Sequence, residues 1–321
     1  MKKIPNRQVH LDFHTSEMID QVGSKFSAEE FAATLKNANV EAVTLFTRCH
    51  HGNLYYDSTK YPERIHPHLK VKDMYREQAK ECRKKGIKVY LYTTICWDIR
   101  VAAEHPEWVA IDDYARISRR ETGNIFEDPG FHVDLCINSP YREFCKEQIA
   151  DALEDCPVDG VLVDASFVVE CCCPRCRKSM LEKHLNPADP QDRKKHAWQI
   201  YYDFVREMTD YLHEIDSDYD IFFNKGHVGA QDIPVRDCFD YVAVESQPAN
   251  CGYMDFPVSA RYLRTWGVPV VGMTGRFLTG WGDNNSYRNQ AALEYESFSA
   301  LSYGGLCNIG DQLPPSGQLD K

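Results

Sequence analysis

The chain has 321 residues and a net charge of −11, with 26% charged and 43% hydrophobic residues. A chain of this length buries enough surface to fold without disulfides, and the balanced composition excludes an intrinsically disordered protein. The acidic balance argues against nucleic acid or an anionic membrane as a partner, and no segment approaches the roughly 20 apolar residues of a membrane helix.

The cysteine content indicates the compartment. The 13 cysteines are an odd number, so they cannot all pair in internal disulfides. Residues 1–14 are polar and contain no apolar signal core. These features predict a cytoplasmic protein with reduced thiols, most of which are small buried apolar residues.

Short β-rich runs alternate with helical patterns along the chain. The first helical pattern has Ser27 as N-cap with Glu30 three residues later, and the second ends at Gly86, a typical C-cap. Strands are predicted at residues 8–15, 42–47, 88–96, 160–167, 220–224, 241–245, 268–273 and 305–309. Helices are predicted at residues 27–39, 71–85, 141–154, 193–215, 256–266 and 287–303.

Eight strands alternating with helices are typical of a (β/α)8 TIM barrel, predicted here as a single catalytic domain over residues 1–321. A doubly wound open sheet competes with this fold, but the first strand ends in His14 and lacks phosphate-binding glycines. Only twelve residues follow Ile309, too few for a full eighth helix. We therefore expect a truncation or a partner subunit over that gap, which leaves a homo-oligomer open.

Barrels of this kind carry their active sites at the C-terminal ends of the strands. Imidazoles, amides, carboxylates and a tryptophan lie at these ends, which is typical of a carbohydrate site with ring-stacking surface and fixed hydroxyl partners. The predicted substrate-binding residues are His14, His50, His51, Trp97, Asn224 and Lys225.

Two acids close apolar runs: Asp164 follows three aliphatic residues, and Glu245 follows Val-Ala-Val. An acid at the end of a buried strand is costly unless it is paired or used. Two such acids can flank a glycosidic bond, one as nucleophile or base and the other as proton donor. The alternatives are pairing with a basic neighbour or binding of a substrate hydroxyl.

A metal-dependent hydrolase is a rival hypothesis. Its first strand would carry two histidines two residues apart, to place both rings on one metal. Here His10 and His14 share a face but lie roughly 13 Å apart along the strand. They cannot bind one ion together, so the glycosidase hypothesis is favoured.

The segment VTLFTRCHHG at residues 43–52 resembles the "lTaKHHdGf" segment of retaining α-L-fucosidases. The later run CRKKGIKVYLY at residues 82–92 continues the resemblance, which extends over roughly the first 250 residues. The resemblance implies a TIM-barrel glycoside hydrolase of a divergent fucosidase-like branch. The family often has Asn-Asp-Arg after strand 5, where this chain has Asn224-Lys225-Gly226, and a lysine lacks the planar fork of arginine.

Taken over residue by residue, the resemblance implies roles for the predicted site. His14 would bind fucose hydroxyls, and His50 and His51 would match the sugar-binding histidine pair. Trp97 would line the pocket. Asp164 would match the nucleophile that ends strand 4, and Glu245 would match the acid/base.

A cysteine motif follows strand 4. Cys171, Cys173 and Cys176 form a C-x-C-x-x-C pattern, a spacing that can place three thiolates on one tetrahedral zinc. The motif resembles the zinc cluster of some β-galactosidase barrels. Cys136 is the predicted fourth ligand, with Cys172 and Cys96 as alternatives, and the competing interpretation is a metal-free turn. Such a zinc would be structural, and no cofactor is expected for catalysis.

Three hypotheses therefore stand. The first is a retaining α-L-fucosidase with a carbohydrate substrate. The second is a glycosidase of the same mechanism for another sugar, such as a galactoside. The third is a carbohydrate-binding barrel without activity.

Overall fold

The computed structural model describes residues 3–119, 131–283 and 286–319. Within these residues, eight parallel strands form one sheet that curves into a nearly closed barrel. The strands are β1 (Arg7–Asp12), β2 (Ala42–Phe46), β3 (Lys88–Thr94), β4 (Gly160–Asp164), β5 (Asp220–Phe223), β6 (Val242–Glu245), β7 (Val270–Gly275) and β8 (Leu306–Gln312). The prediction of a (β/α)8 barrel is confirmed.

Helices cover the outside of the strands, as the alternating pattern predicts. They are α1 (Ala28–Asn37), α2 (Met74–Lys84), α3 (Ile99–Glu104), α4 (Tyr141–Leu153), α5 (Pro174–Glu182), α6 (Pro190–Ile215), α7 (Pro248–Cys251), α8 (Asp255–Leu263) and α9 (Gln290–Ser302). The predicted N-cap of α1 is confirmed, because the Ser27 hydroxyl accepts the Glu30 N–H. None of the described helices is long and apolar enough to cross a bilayer.

Every neighbouring pair of strands forms a parallel ladder except β5 and β6. At that position the described residues show single contacts: Asp240 donates its N–H to the Ile221 carbonyl and accepts the Ile221 N–H on its carboxylate. We call this junction the β5–β6 seam. The barrel is therefore closed by backbone pairing at seven junctions and by isolated bonds at the seam.

The described residues after β8, 313–319, contain no helix. They run over the loop before α1, where the Gly23 N–H donates to the Pro315 carbonyl and the Lys25 N–H to Ser316. The neighbouring helix α9 leaves Tyr295 and Phe298 exposed. The expectation of a truncation or a covering partner stays a prediction.

All 13 cysteines lie in the described residues, and none forms a disulfide. Twelve of them are buried and Cys251 is exposed. Their burial agrees with the expectation that most of them are packing residues, and the redox state of the thiols stays a prediction.

Candidate active site

Asp164, Asn224 and Glu245 stand at the C-terminal ends of β4, β5 and β6 and form one hydrogen-bonded group. The Asn224 side-chain nitrogen donates to Asp164 Oδ1 at 2.8 Å and to Glu245 Oε1 at 2.7 Å. Because both bonds share one nitrogen, the two carboxylate oxygens lie at most about 5.5 Å apart. The sequence predicted all three residues, and the structure brings them together.

Asp164 is held on both sides. The Tyr92 hydroxyl donates to its Oδ2 at 2.6 Å, and Asn224 donates to its Oδ1. The following residue, Ala165, is buried and has a φ of 51°, a left-handed conformation that is rare for a non-glycine residue. Strain of this kind is typical of functional sites, and here it turns the chain directly behind the carboxylate.

Burial raises the pKa of Asp164 above its ordinary value, while hydrogen bonds from Tyr92 and from the Ala165 backbone oppose the rise. Burial and the nearby Asp164 carboxylate raise the pKa of Glu245 to about 7, against the hydrogen bond from Asn224. The two acids therefore interact, and the charge of Asp164 favours the protonated form of Glu245. With a pKa of about 7, Glu245 can hold a proton close to neutral pH, which an ordinary glutamate does not.

The predicted histidines form the next part of the site. The rings of His14 and His50 stack with centroids 4.1 Å apart, and His50 Nε2 lies 4.0 Å from Asp164 Oδ2. Burial lowers the pKa of His14 to about 4 and that of His50 well below its usual value. Both imidazoles are neutral at pH 7, so they can donate to and accept from hydroxyl groups without adding charge.

The tautomer of His14 follows from a backbone contact. Its Nδ1 accepts the His50 N–H at 3.2 Å, so the ring proton sits on Nε2. The Nδ1 of His50 is hydrogen-bonded to Thr94 Oγ1 at 2.8 Å. These bonds fix the orientation of both rings at the ends of β1 and β2.

An aromatic wall stands beside the histidines. The Trp97 ring meets His50 edge-on at 5.0 Å and His132 at 4.2 Å, and Phe131 lies 5.2 Å from His50. His51 is buried against Phe131, with ring centroids 4.9 Å apart. Trp97, Phe131 and His132 together form the aromatic wall.

Lys225 lies apart from this group. Its ammonium pairs with the buried Asp232 at 3.2 Å and lies over the rings of Trp198 and Tyr201 on α6. The structure thus brings Asn224 and His50 to the carboxylate pair. The rings of His14, His51 and Trp97 lie around His50 and Phe131, and Lys225 is not part of this group.

Sequence reasoning missed four neighbours of the carboxylates and histidines. Tyr92 and Thr94 occupy alternate positions of β3, so the period-two pattern of that strand contained a signal for them. Phe131 and His132 lie in the long connection between β3 and α4, where no sequence periodicity marks a pocket residue. Asp12 on β1, hydrogen-bonded to His10 at 3.1 Å, is a further buried acid near Glu245.

The four cysteines predicted as metal ligands lie together outside the carboxylate site. The Sγ atoms of Cys136, Cys171, Cys173 and Cys176 are all within 4.8 Å of one another, and all four residues are buried. Cys172 and Cys96, the alternative ligands, are not members of this group. We call the four residues the cysteine tetrad.

A barrel with a buried acid pair, neutral histidines and an aromatic wall at the strand ends has the design of a glycoside hydrolase. Residues 27–165, less than half of the chain, match the profile of the family described as GHL6, hypothetical glycosyl hydrolase 6. A search of curated proteins gave no match. The family match points to the same class as the site.

The structural comparison extends the likeness to the whole chain. α-L-Fucosidase isoenzyme 2 from Paenibacillus thiaminolyticus is 34% identical, with a TM-score of 0.91 over 99% of this chain and 47% of that one. The chain thus spans about half the length of this relative. The resemblance to fucosidase-like glycoside hydrolases is confirmed.

More distant structures share the fold alone. A β-galactosidase from the psychrophilic Marinomonas ef1 has a TM-score of 0.65 at 12% identity, over 95% of this chain and 54% of that one. A GH29 α-L-fucosidase from Bacteroides thetaiotaomicron has a TM-score of 0.58 at 15% identity, over 94% of this chain and 58% of that one.

Proposed function

We propose that this chain is a retaining exo-glycosidase that acts on α-L-fucosides. The observation that carries the proposal is the Asn224 amide, which holds one oxygen of Asp164 and one of Glu245 within about 5.5 Å. Retaining glycosidases need their two carboxyl groups about this close, whereas inverting enzymes leave room for a water between them. Fucose is proposed as the sugar because the relative that is 34% identical is an α-L-fucosidase.

In the first step, an Asp164 oxygen attacks the anomeric carbon while Glu245 gives its proton to the leaving oxygen. The bond from carbon to the carboxylate forms, and the glycosidic bond breaks. In the second step, Glu245 takes a proton from water, whose oxygen attacks the same carbon and releases Asp164. The net reaction is hydrolysis with retained configuration.

The neutral histidines and the aromatic wall would bind the sugar. His14 and His50 present uncharged nitrogens to hydroxyl groups, and Trp97 presents a ring face or edge to the apolar side of the sugar. Neutral partners suit a neutral ligand, because they avoid the cost of burying further charge beside Asp164. Thirteen cysteines without a disulfide fit a reducing compartment, so the proposal places the protein in the cytoplasm.

The test is a panel of nitrophenyl glycosides with the full chain and with Asp164→Ala. We expect release of nitrophenol from the α-L-fucoside, and a loss of at least about 10³-fold in kcat/KM in the variant. External azide should partly restore turnover of the variant, because a small anion fits where the carboxylate was removed. Activity within a few-fold of the wild type would remove Asp164 from the nucleophile role.

The matched control is Asp159→Ala, an acid directly before β4 at the opposite end of the barrel. Its carboxylate accepts the Val89 N–H and pairs with Arg83, so its loss should lower stability and leave the activity of the folded protein near wild type. Turnover of a galactoside alone would replace the proposed sugar. Fucose binding without any turnover would identify a carbohydrate-binding barrel.

A further inference from the structure

The cysteine tetrad lies in a small cluster of its own. Its sulfurs pack with Ala110 and Met180, separate from the main hydrophobic core. The ligands come from two connections of the barrel: Cys136 lies between β3 and α4, and the others lie between β4 and the first turn of α5. The four sulfurs therefore meet where these two connections pack together.

The distances between the sulfurs fit a four-coordinate metal. With metal–sulfur bonds of about 2.3 Å, the edge of a tetrahedral site is about 3.8 Å. Cys136 Sγ lies 3.9 Å from Cys173 Sγ and 3.5 Å from Cys176 Sγ. A disulfide needs about 2.05 Å, so these sulfurs are not bonded pairs.

The backbone arranges the ligands before any metal binds. Cys173 is the N-cap of α5 and Pro174 its first residue, so one helical turn brings Cys176 beside Cys173. Two N–H groups also point at the sulfurs: the Cys173 N–H at Cys171 Sγ (3.4 Å) and Asn138 Nδ2 at Cys176 Sγ (3.5 Å). Hydrogen bonds of this kind stabilise thiolates, the form that binds metal.

We propose that Cys136, Cys171, Cys173 and Cys176 bind one zinc ion, which fastens the β3–α4 connection to the β4–α5 connection. Four thiolates leave no open position on the metal, so its role is structural. The evidence for this metal site does not depend on the activity proposed above.

The fastened connections carry the aromatic wall. Two residues before Cys136, the Asp134 carboxylate accepts the Trp97 indole N–H at 3.1 Å. Four residues before Cys171, the Phe167 ring packs on Trp97 with centroids 4.6 Å apart. The zinc therefore supports Trp97 from both sides without touching the sugar pocket.

The test is elemental analysis of the full chain, purified without chelators from medium that contains both zinc and iron. We expect one zinc per chain. Cys136→Ser and Cys173→Ser should lose it, whereas Cys172→Ser, a buried neighbour outside the tetrad, should retain it. One equivalent of iron, or no metal, would overturn the proposal.

Two measurements on the wild-type protein test the proposal even if the serine variants fail to fold. A thiol reagent added stepwise should release zinc in proportion to the modification of four thiols, and cobalt exchanged into the site should show the visible bands of a tetrahedral thiolate complex. Absence of these bands in a cobalt-loaded protein would contradict the tetrad.

A second readout tests the coupling to the pocket and rests on the proposed function. In Cys136→Ser that is folded and free of zinc, KM for the fucoside should rise several-fold while kcat changes little, because Trp97 loses support and the carboxylate pair stays. A several-fold fall in kcat with unchanged KM would contradict the coupling and would not affect the result on metal binding.

Discussion

Asn224 sets the distance between the two acids. One side-chain nitrogen donates to both carboxyl groups, so neither group can move away without losing a hydrogen bond. A charged lysine at this position would hold both acids ionised, whereas the neutral amide leaves Glu245 able to keep a proton near pH 7. The amide therefore keeps the two acids together without forcing Glu245 to ionise, as the proposed mechanism requires.

The pH dependence of the proposed activity follows from the raised pKa values of the two acids. The required form has Glu245 protonated and Asp164 ionised. Because the pKa of Glu245 is about 7, kcat/KM should fall as pH rises through neutrality. The acidic limb should have an apparent pKa above that of an ordinary aspartate, because burial raises the pKa of Asp164. Measuring kcat/KM against pH should give a bell-shaped profile.

Glu245→Gln should remove the alkaline limb of that profile. The variant should also discriminate strongly between substrates, since fucosides with poor leaving groups need the proton and dinitrophenyl fucosides need it less. An alkaline limb that survives the substitution would mean that another group is the acid.

The sequence identified these residues because they stand where a buried strand ends. Asp164 and Glu245 interrupt aliphatic runs, and a barrel brings all strand ends to one rim. Lys225 follows Asn224 directly in sequence, yet its side chain turns toward Asp232 and α6. A position next to a strand end does not decide which way a side chain points, so such a residue stays ambiguous without the structure.

At the scale of elements, the connection after β2 is held by a buried ion pair. Arg48 Nη1 lies 2.8 Å from Asp98 Oδ2, and both side chains are almost fully buried. Asp98 is also the N-cap of α3, where its Oδ1 accepts the Val101 N–H. One carboxylate therefore fixes both the chain that carries the histidine pair and the helix that follows Trp97.

Asp98→Asn should lower the free energy of unfolding by about 3–5 kcal/mol, because the cap is kept and the buried guanidinium loses its counter-charge. The matched control is Asp189→Asn at the exposed N-cap of α6, where loss of the charge should cost under about 1 kcal/mol. Urea unfolding of both variants measures the difference. Equal losses would show that the ion pair contributes little beyond the cap.

The predicted elements are correct in kind and shifted at their ends. The seventh strand was predicted at 268–273 and runs from Val270 to Gly275, because Pro269 has no N–H for a ladder and precedes the pairing. Helix α5 was not predicted, since cysteines have no helical periodicity. The helix starts with Cys173 as its N-cap and Pro174 as its first residue. Proline at the first position is a helix-start signal, but these residues are interpreted from the sequence only as part of the metal motif.

At the scale of the whole molecule, the proposed catalytic group spans the β5–β6 seam. No ladder joins β5 to β6 in the described residues, and the Asn224–Glu245 hydrogen bond crosses this junction. The barrel is thus closed at its C-terminal rim by a side chain of the proposed catalytic group.

Hydrogen exchange should show the seam as the first part of the barrel to open. Amides in peptides from β5 and β6 should exchange before those from β2, which is paired on both sides. Exchange measured by mass spectrometry on the native chain tests this. Equal protection of all strands would indicate a barrel without a weak junction.

The acid pair and the rings proposed to bind the sugar come from different halves of the barrel. Asp164, Asn224 and Glu245 follow β4, β5 and β6, whereas the histidines and Trp97 follow β1, β2 and β3. The two tasks are therefore carried by separate, consecutive stretches of chain. Replacing the loops after β1, β2 and β3 would change the residues proposed to bind the sugar and leave the proposed catalytic acids in place. Such a modular arrangement suits the evolution or engineering of new specificities on one scaffold.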